Sequence, residues 1–191
     1  MGVTVRELSP ASKEPITLDQ AKQHLNELEN DFDQTIEANI VVARRWVERR
    51  TSLKLRAVEV DLTLDFFPAV IELPFAPVSS ITEIKFFNGL GVEEVLPVAE
   101  FQSDLIGRPH RICPVFGSTW PVTETRLNAV TVTFVAGHDS NEPVPEDIIH
   151  GMKMLIAHWD RNREAVVIGT ISKAIEFAVD SLVLPYRVPF V

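Results

Sequence analysis

The chain has 191 residues, 46% of them hydrophobic and 24% charged, and a formal net charge of −9. That size and balance fit one soluble domain, or one domain with an extended arm, and no apolar run reaches the roughly 18–20 residues of a membrane span. The acidic excess argues against gripping DNA, which needs Lys and Arg to displace counterions from phosphates, and suits a surface that DNA slides past.

Residues 1–16 are mostly polar, carry Pro10 and Pro15, lack the apolar core of a secretory signal, and read as an N-terminal arm. Thr17 and Gln20 have the spacing of a capping box, and Leu18, Ala21, Leu25 and Leu28 recur at helical period, which predicts a helix over about 17–29. Asn30-Asp31 breaks it. Phe32, Ile36, Ile40, Ala43 and Val47 then form the apolar stripe of a second helix that ends near Thr51. So short a connection predicts an antiparallel helical hairpin.

The period changes to two at Val58, Val60, Leu62 and Leu64, which alternate with Glu59, Asp61, Thr63 and Asp65 as in a half-buried strand. Further strands are expected at 70–73, 81–87, 92–96, 101–105, 111–113 and 129–135, with Asn88-Gly89 as a hairpin turn. Seven prolines between 68 and 121 favour short edge strands. Pro145 then suits a first helical turn, and Ile148, Ile149, Met152, Leu155, Ile156 and Trp159 mark a helix that stops near Arg163. Residues 164–176 have weak pattern, Phe177–Leu184 reads as a short helix, and Pro185 to Val191 as an extended tail.

The expected class is α+β. An N-terminal helical hairpin and a C-terminal helix form a helical core, with a β-rich insertion at about 57–135 and an extended C-terminal tail. The corresponding organisation is an arm over 1–16, a main domain over 17–163, and a C-terminal segment over 164–191.

Motifs for chemistry are missing. His24, His110, His138, His150 and His158 show no metal-ligand spacing, so no metal site is expected. The single cysteine, Cys113, permits neither an internal disulfide nor a Cys-based zinc site, and reads as a small buried hydrophobe in a chain suited to a reducing cytoplasm. Gly89-Leu90-Gly91 lacks the third glycine of a dinucleotide loop, and neither a P-loop nor a nucleophile elbow is present. No catalytic residue and no cofactor is assigned. Arg44, Arg45, Arg49 and Arg50 cluster around Glu48 on the second helix. They read as a solvated face with local ion pairs, or as a contact with an acidic neighbour, ahead of a DNA-facing patch.

The C-terminal segment is the candidate partner-binding site: Leu182, Leu184, Pro185, Tyr186, Arg187, Val188 and Phe190. An apolar stretch stiffened by prolines must be buried somewhere, either on a partner subunit or back on its own domain. A small soluble enzyme or ligand-binding domain of unknown substrate stands as the alternative class.

Pro15-Ile16-Thr17-Leu18-Asp19-Gln20-Ala21-Lys22-Gln23-His24-Leu25 resembles the opening of tailed-phage head–tail connector (adaptor, neck) proteins. The similarity continues through Ile71-Glu72-Leu73-Pro74, Pro77-Val78, the Asn88-Gly89 hairpin, Trp120-Pro121, residues 128–137, Val144-Pro145, Ala157-His158-Trp159 with Asn162-Arg163-Glu164, and Leu182 with Pro185-Tyr186-Arg187. Phe87, Asn88, His138 and residues 165–178 depart from the family pattern. The resemblance implies a structural virion protein without enzymatic activity, made in the bacterial host cytoplasm and placed at the virion neck. It implies a homo-oligomeric, dodecameric ring between the portal protein and a tail-completion or stopper protein. DNA would pass through the ring without sequence-specific binding, and no membrane is involved.

Overall fold

A computed structural model describes residues 2–8, 13–162 and 173–189. The expectations at Pro10, at Arg163-Glu164, at 164–172 and at Phe190 and Val191 lie outside the described residues. The chain is mixed α+β and divides into two units, one drawn from Met1–Ser12, Arg56–Gly137 and Val188–Val191, the other from Lys13–Leu55 and His138–Arg187.

The first unit is built of β-strands with one 3-10 turn at Val98–Glu100 among its described residues. A five-stranded antiparallel sheet has the order β1-β2-β8-β4-β5, with β1 at Val3–Glu7, β2 at Val58–Leu64, β4 at Val78–Phe87, β5 at Glu93–Val95 and β8 at Val130–Ala136. A second sheet has the order β3-β7-β6, with β3 at Ile71–Glu72, β6 at Phe101–Asp104 and β7 at Arg111–Pro114. Alternation decides what is buried. Val58, Val60, Leu62 and Leu64 of β2 and Val130, Val132, Phe134 and Ala136 of β8 share one core with Ile84, Phe86, Ile71 and Ile112. Apart from Ala136, each such side chain contributes about 1.5–3 kcal/mol by leaving water. On the opposite face Thr133 Oγ1 donates to Asp61 Oδ1 at 2.7 Å, which satisfies a hydroxyl with little exposure. Strand β4 bulges between Val78 and Ser80 and between Ile81 and Glu83.

Strand β1 was not expected, because residues 1–16 read as an arm. It pairs with β2 alone, from Val3 opposite Leu64 to Glu7 opposite Val60, and all five of its residues are exposed. Asp65 secures its start, accepting from the Gly2 N–H at 2.7 Å and from the Asn128 N–H at 3.2 Å. These two bonds hold the Asp65 carboxyl below its ordinary pKa. The Asn88-Gly89 signal marks the hairpin but not its turn. β4 and β5 are joined by Asn88–Val92, the Asn88 side chain accepts from the Leu90 and Val92 N–H groups, and Gly91 carries the positive φ of 77°.

The second unit is helical: α1 at Leu18–Leu25, α2 at Asp33–Thr51, α3 at Glu146–Arg161 and α4 at Lys173–Val183. The capping box is present at both ends, Gln20 N–H to Thr17 Oγ1 at 3.2 Å and Thr17 N–H to Gln20 Oε1 at 2.9 Å. α1 stops four residues earlier than the pattern suggests because Asn26 adopts the left-handed conformation and closes the helix on Gln23 and Lys22. Lys22 bridges to the start of α2 through Asn30 and Asp33. Ile36, Ile40, Ala43 and Val47 of α2 and Ile148, Met152, Leu155 and Ile156 of α3 are buried. Gly151 costs α3 about 1 kcal/mol in helix propensity relative to Ala. Its use is close approach, since a Cβ there would lie 3.3 Å from both Val179 and Val183 of α4.

Candidate functional site

The C-terminal segment is built as helix, turn and extended chain. Pro185 has no N–H and a fixed φ, so α4 ends at Val183 and Leu184–Tyr186 form one 3-10 turn, closed by the Arg187 N–H on the Leu184 carbonyl at 3.0 Å. The expected fully extended tail therefore begins two residues later, after Tyr186. Val183 and Val188 are buried, the latter at 2% exposure, while Leu182 and Tyr186 are half-buried. Tyr186 Oη donates to Asp147 Oδ2 at 2.8 Å, and this bond raises the tyrosine pKa, with desolvation and the Asp147 charge adding to it. Leu184, Pro185 and Arg187 remain exposed, Leu184 at 42%. Of the expected docking residues these three share the free surface, and Val188 is withdrawn from it.

The four arginines do not form one basic face. Arg44 is 5% exposed and bridges two carboxylates, Nε to Glu14 at 2.9 Å and an Nη to Glu48 at 2.7 Å. The other Glu48 oxygen accepts from the Leu55 N–H at 3.1 Å. Arg50 pairs with Glu176 and Asp180 of α4 and lies over the Trp46 ring at 4.6 Å. Arg49 donates to the Arg45 carbonyl, and Arg45 and Arg49 alone point to solvent. Local ion pairing accounts for Arg44 and Arg50, and a solvated face for Arg45 and Arg49. Glu14 could not have been read as a partner from the sequence, being thirty residues from Arg44.

The histidines divide by role. His110 is buried, and its Nε2 accepts from the Val78 N–H at 3.1 Å, which requires the neutral Nδ1–H tautomer. His138 is buried with Nδ1 against the Glu142 carbonyl. Among the described residues no group of three His, Cys, Asp or Glu side chains is placed to hold a metal ion. His24 and His158, however, line one cavity of about 390 Å³ with Met154, Ala157, Arg161, Asn162 and Ile175. Burial lowers the His24 pKa first, and the charges of Lys153, His150 and Arg161 lower it further. Arg161 has no carboxylate within ion-pair distance among the described residues. Lone histidines on two helices gave no spacing from which this cavity could be read.

The β unit presents large apolar residues singly at its loop tips: Leu90, Ile106, Phe116 and Val122. Leu90, at 89% exposure, crowns the β4–β5 turn. Beside it on β5 Glu93 and Glu94 are exposed. Glu94 accepts from the Asn88 amide, whereas Glu93 has no ion pair among the described residues. None of the described helices is long and apolar enough to cross a membrane.

These features define a mixed α+β protein in which, along the sequence, the stretch Arg56–Gly137 of the β unit is inserted between the two stretches of the helical unit. No protein-family model matches the chain, and no curated protein sequence matches it. Solved structures do. A chain in the neck of an empty gene transfer agent particle, computed with C6 symmetry, superposes with a TM-score of 0.77 at 21% identity, covering 98% of this chain and 97% of that one. A chain of the native gene transfer agent virion gives 0.76 at 22%, covering 98% and 96%. A chain in the neck of the native particle, computed with C12 symmetry, gives 0.71 at 20%, covering 98% and 97%. The likeness is one of fold and runs over nearly the whole length of each chain.

Proposed function

We propose that this chain is a structural virion protein, a head–tail connector (adaptor) subunit that repeats as a ring beneath the portal protein, joins capsid to tail and continues the DNA channel. One observation carries the reading: the fold is matched over 98% of the chain by proteins of gene transfer agent necks. The sixfold and twelvefold symmetries of those necks support a ring, and a subunit that contacts its neighbour head-to-tail closes into one. The net charge of −9 supports a channel wall that DNA passes without being held. The partners on either side are the portal protein and a tail-completion or stopper protein, and no catalytic step is assigned.

The exposed part of the C-terminal segment, Leu184, Pro185 and Arg187, is the surface offered to the portal or to an adjacent subunit. Proline stiffening lowers the ordering cost of docking, and Arg187 supplies a charge-assisted bond to a partner carboxylate. Mixing the purified chain with its portal protein and imaging the product by electron microscopy tests the reading. A ring of this chain seated on the portal is expected. Failure to form any ring, free or on the portal, would refute it.

A further inference from the structure

Two features of the described surface differ in shape, one concave and one protruding. The first is the cavity of the helical unit, lined by the apolar Met154, Ala157 and Ile175 and by His24, His158, Arg161 and Asn162. Burial and the charges of Lys153, His150 and Arg161 lower the His24 pKa, so the positive charge here is that of Arg161 and Lys153, local in a chain whose net charge is −9. The second is the β4–β5 hairpin, whose turn is made rigid by Asn88. That side chain takes the Leu90 and Val92 N–H groups and donates to Glu94, and the Asn88 N–H meets the Val92 carbonyl. A pre-formed turn thus holds Leu90 out in water, with Val92 and the carboxylate of Glu93 behind it.

The two features are complementary in kind. The hairpin offers an apolar knob followed by a carboxylate, and the cavity offers an apolar lining beside the cation Arg161, which has no carboxylate partner among the described residues. We propose that the hairpin tip of one copy seats in the helical cavity of the next, with Leu90 on the apolar lining and Glu93 facing Arg161. The inference rests on the ring reading and names the contact between its neighbours. A patch on one unit meeting a different patch on another copy is a heterologous contact, the type that propagates around a ring. The rigid turn loses little freedom on docking, and the opposite charges fix which face is presented.

The test is a charge swap in the full chain, assembled on its portal and followed by electron microscopy and by sedimentation. Glu93→Arg and Arg161→Glu each place like charges together and are expected to weaken ring formation by about tenfold or more. The double variant restores the pairing with reversed sign and is expected to recover most of the loss. Leu90→Asp is expected to abolish rings. All three positions are exposed, so circular dichroism should show an unchanged fold. Rings that form equally well with every variant would overturn this contact while leaving the neck reading intact. Absence of rings in the unmodified chain would overturn both. Single variants that weaken rings without rescue in the double would overturn the pairing. So would an Arg161→Glu chain that keeps its rings but loses binding of short duplex DNA, which would give the cavity to phosphate.

Discussion

Replacing Arg44 by Met is expected to be among the most damaging single changes in the helical unit. The Arg44 side chain is 6% exposed and holds Glu48 and Glu14, whose side chains are 9% and 25% exposed. Met fills the space of the arginine stem but leaves the Glu48 carboxylate buried without its counter-charge. Breaking a buried pair in this way costs about 3–5 kcal/mol, and the partial exposure of Glu14 places the value at the lower end. For a chain of this size each kcal/mol moves Tm by about 2–4 °C, so a drop of about 6–12 °C is expected. A second change, Glu48→Gln, removes the stranded charge yet keeps a carbonyl for the Leu55 N–H. The pair Arg44→Met with Glu48→Gln should therefore melt above Arg44→Met alone. Thermal melting followed by the helical circular dichroism signal measures all three. An Arg44→Met chain that melts within about 2 °C of the parent, less than 1 kcal/mol, would show that the buried network contributes nothing net.

Gly137→Ala should be worse than any surface change, because φ is 119° and the new Cβ would sit 2.1 Å from the Arg56 carbonyl oxygen. A loss of at least about 3 kcal/mol in denaturant unfolding is expected. Asp104 accepts from Arg111 and from the Gly107 and Ile106 N–H groups, in that order of effect, and its pKa falls from 3.8 to about 2. A depressed carboxyl stabilises the fold above its unfolded pKa, and that contribution is lost as pH falls through the folded value near 2. NMR titration of the carboxyl carbon should show this midpoint, and Arg111→Gln should move it back toward 3.8. Leu184→Asp combined with Arg187→Glu should leave the melting temperature within a few tenths of a kcal/mol of the parent, about 1 °C, yet abolish joining of heads to tails in vitro. Normal joining would remove the C-terminal segment from the docking surface.

Where the chain signals its structure, it does so through side-chain pattern over several residues. The alternation from Val58 to Leu64 named both the strand and its buried face, and Thr17 with Gln20 named the first turn of α1 to the residue. Patterns that need a distant partner were silent. Val3 and Val5 alternate too, but five residues at a terminus become a strand only because β2 supplies a ladder. The arginines of α2 looked alike in sequence, and only the fold separates Arg44, brought to Glu14 and Glu48, from the solvent-facing Arg45. The C-terminal segment was visible as apolar residues between prolines, but its division into buried Val188 and exposed Leu184 depends on one turn of 3-10 helix. The cavity was invisible because His24 and His158 lie more than a hundred residues apart and meet only when α1 packs on α3.

The acidic edge at β5 bears on which pairings two copies of the chain disfavour. An open strand is a template for another copy, and the simplest mistake is for two copies to join β5 to β5 about a two-fold axis. Antiparallel pairing centred on that strand would set Glu94 directly against Glu94, with Glu93 close by on each side. Like charges in that position repel. A two-fold dimer would also close on itself at β5 and withdraw that edge of both members. Three residues of edge strand, two of them glutamate, thus set like charges against the pairing of β5 with β5 of a second copy.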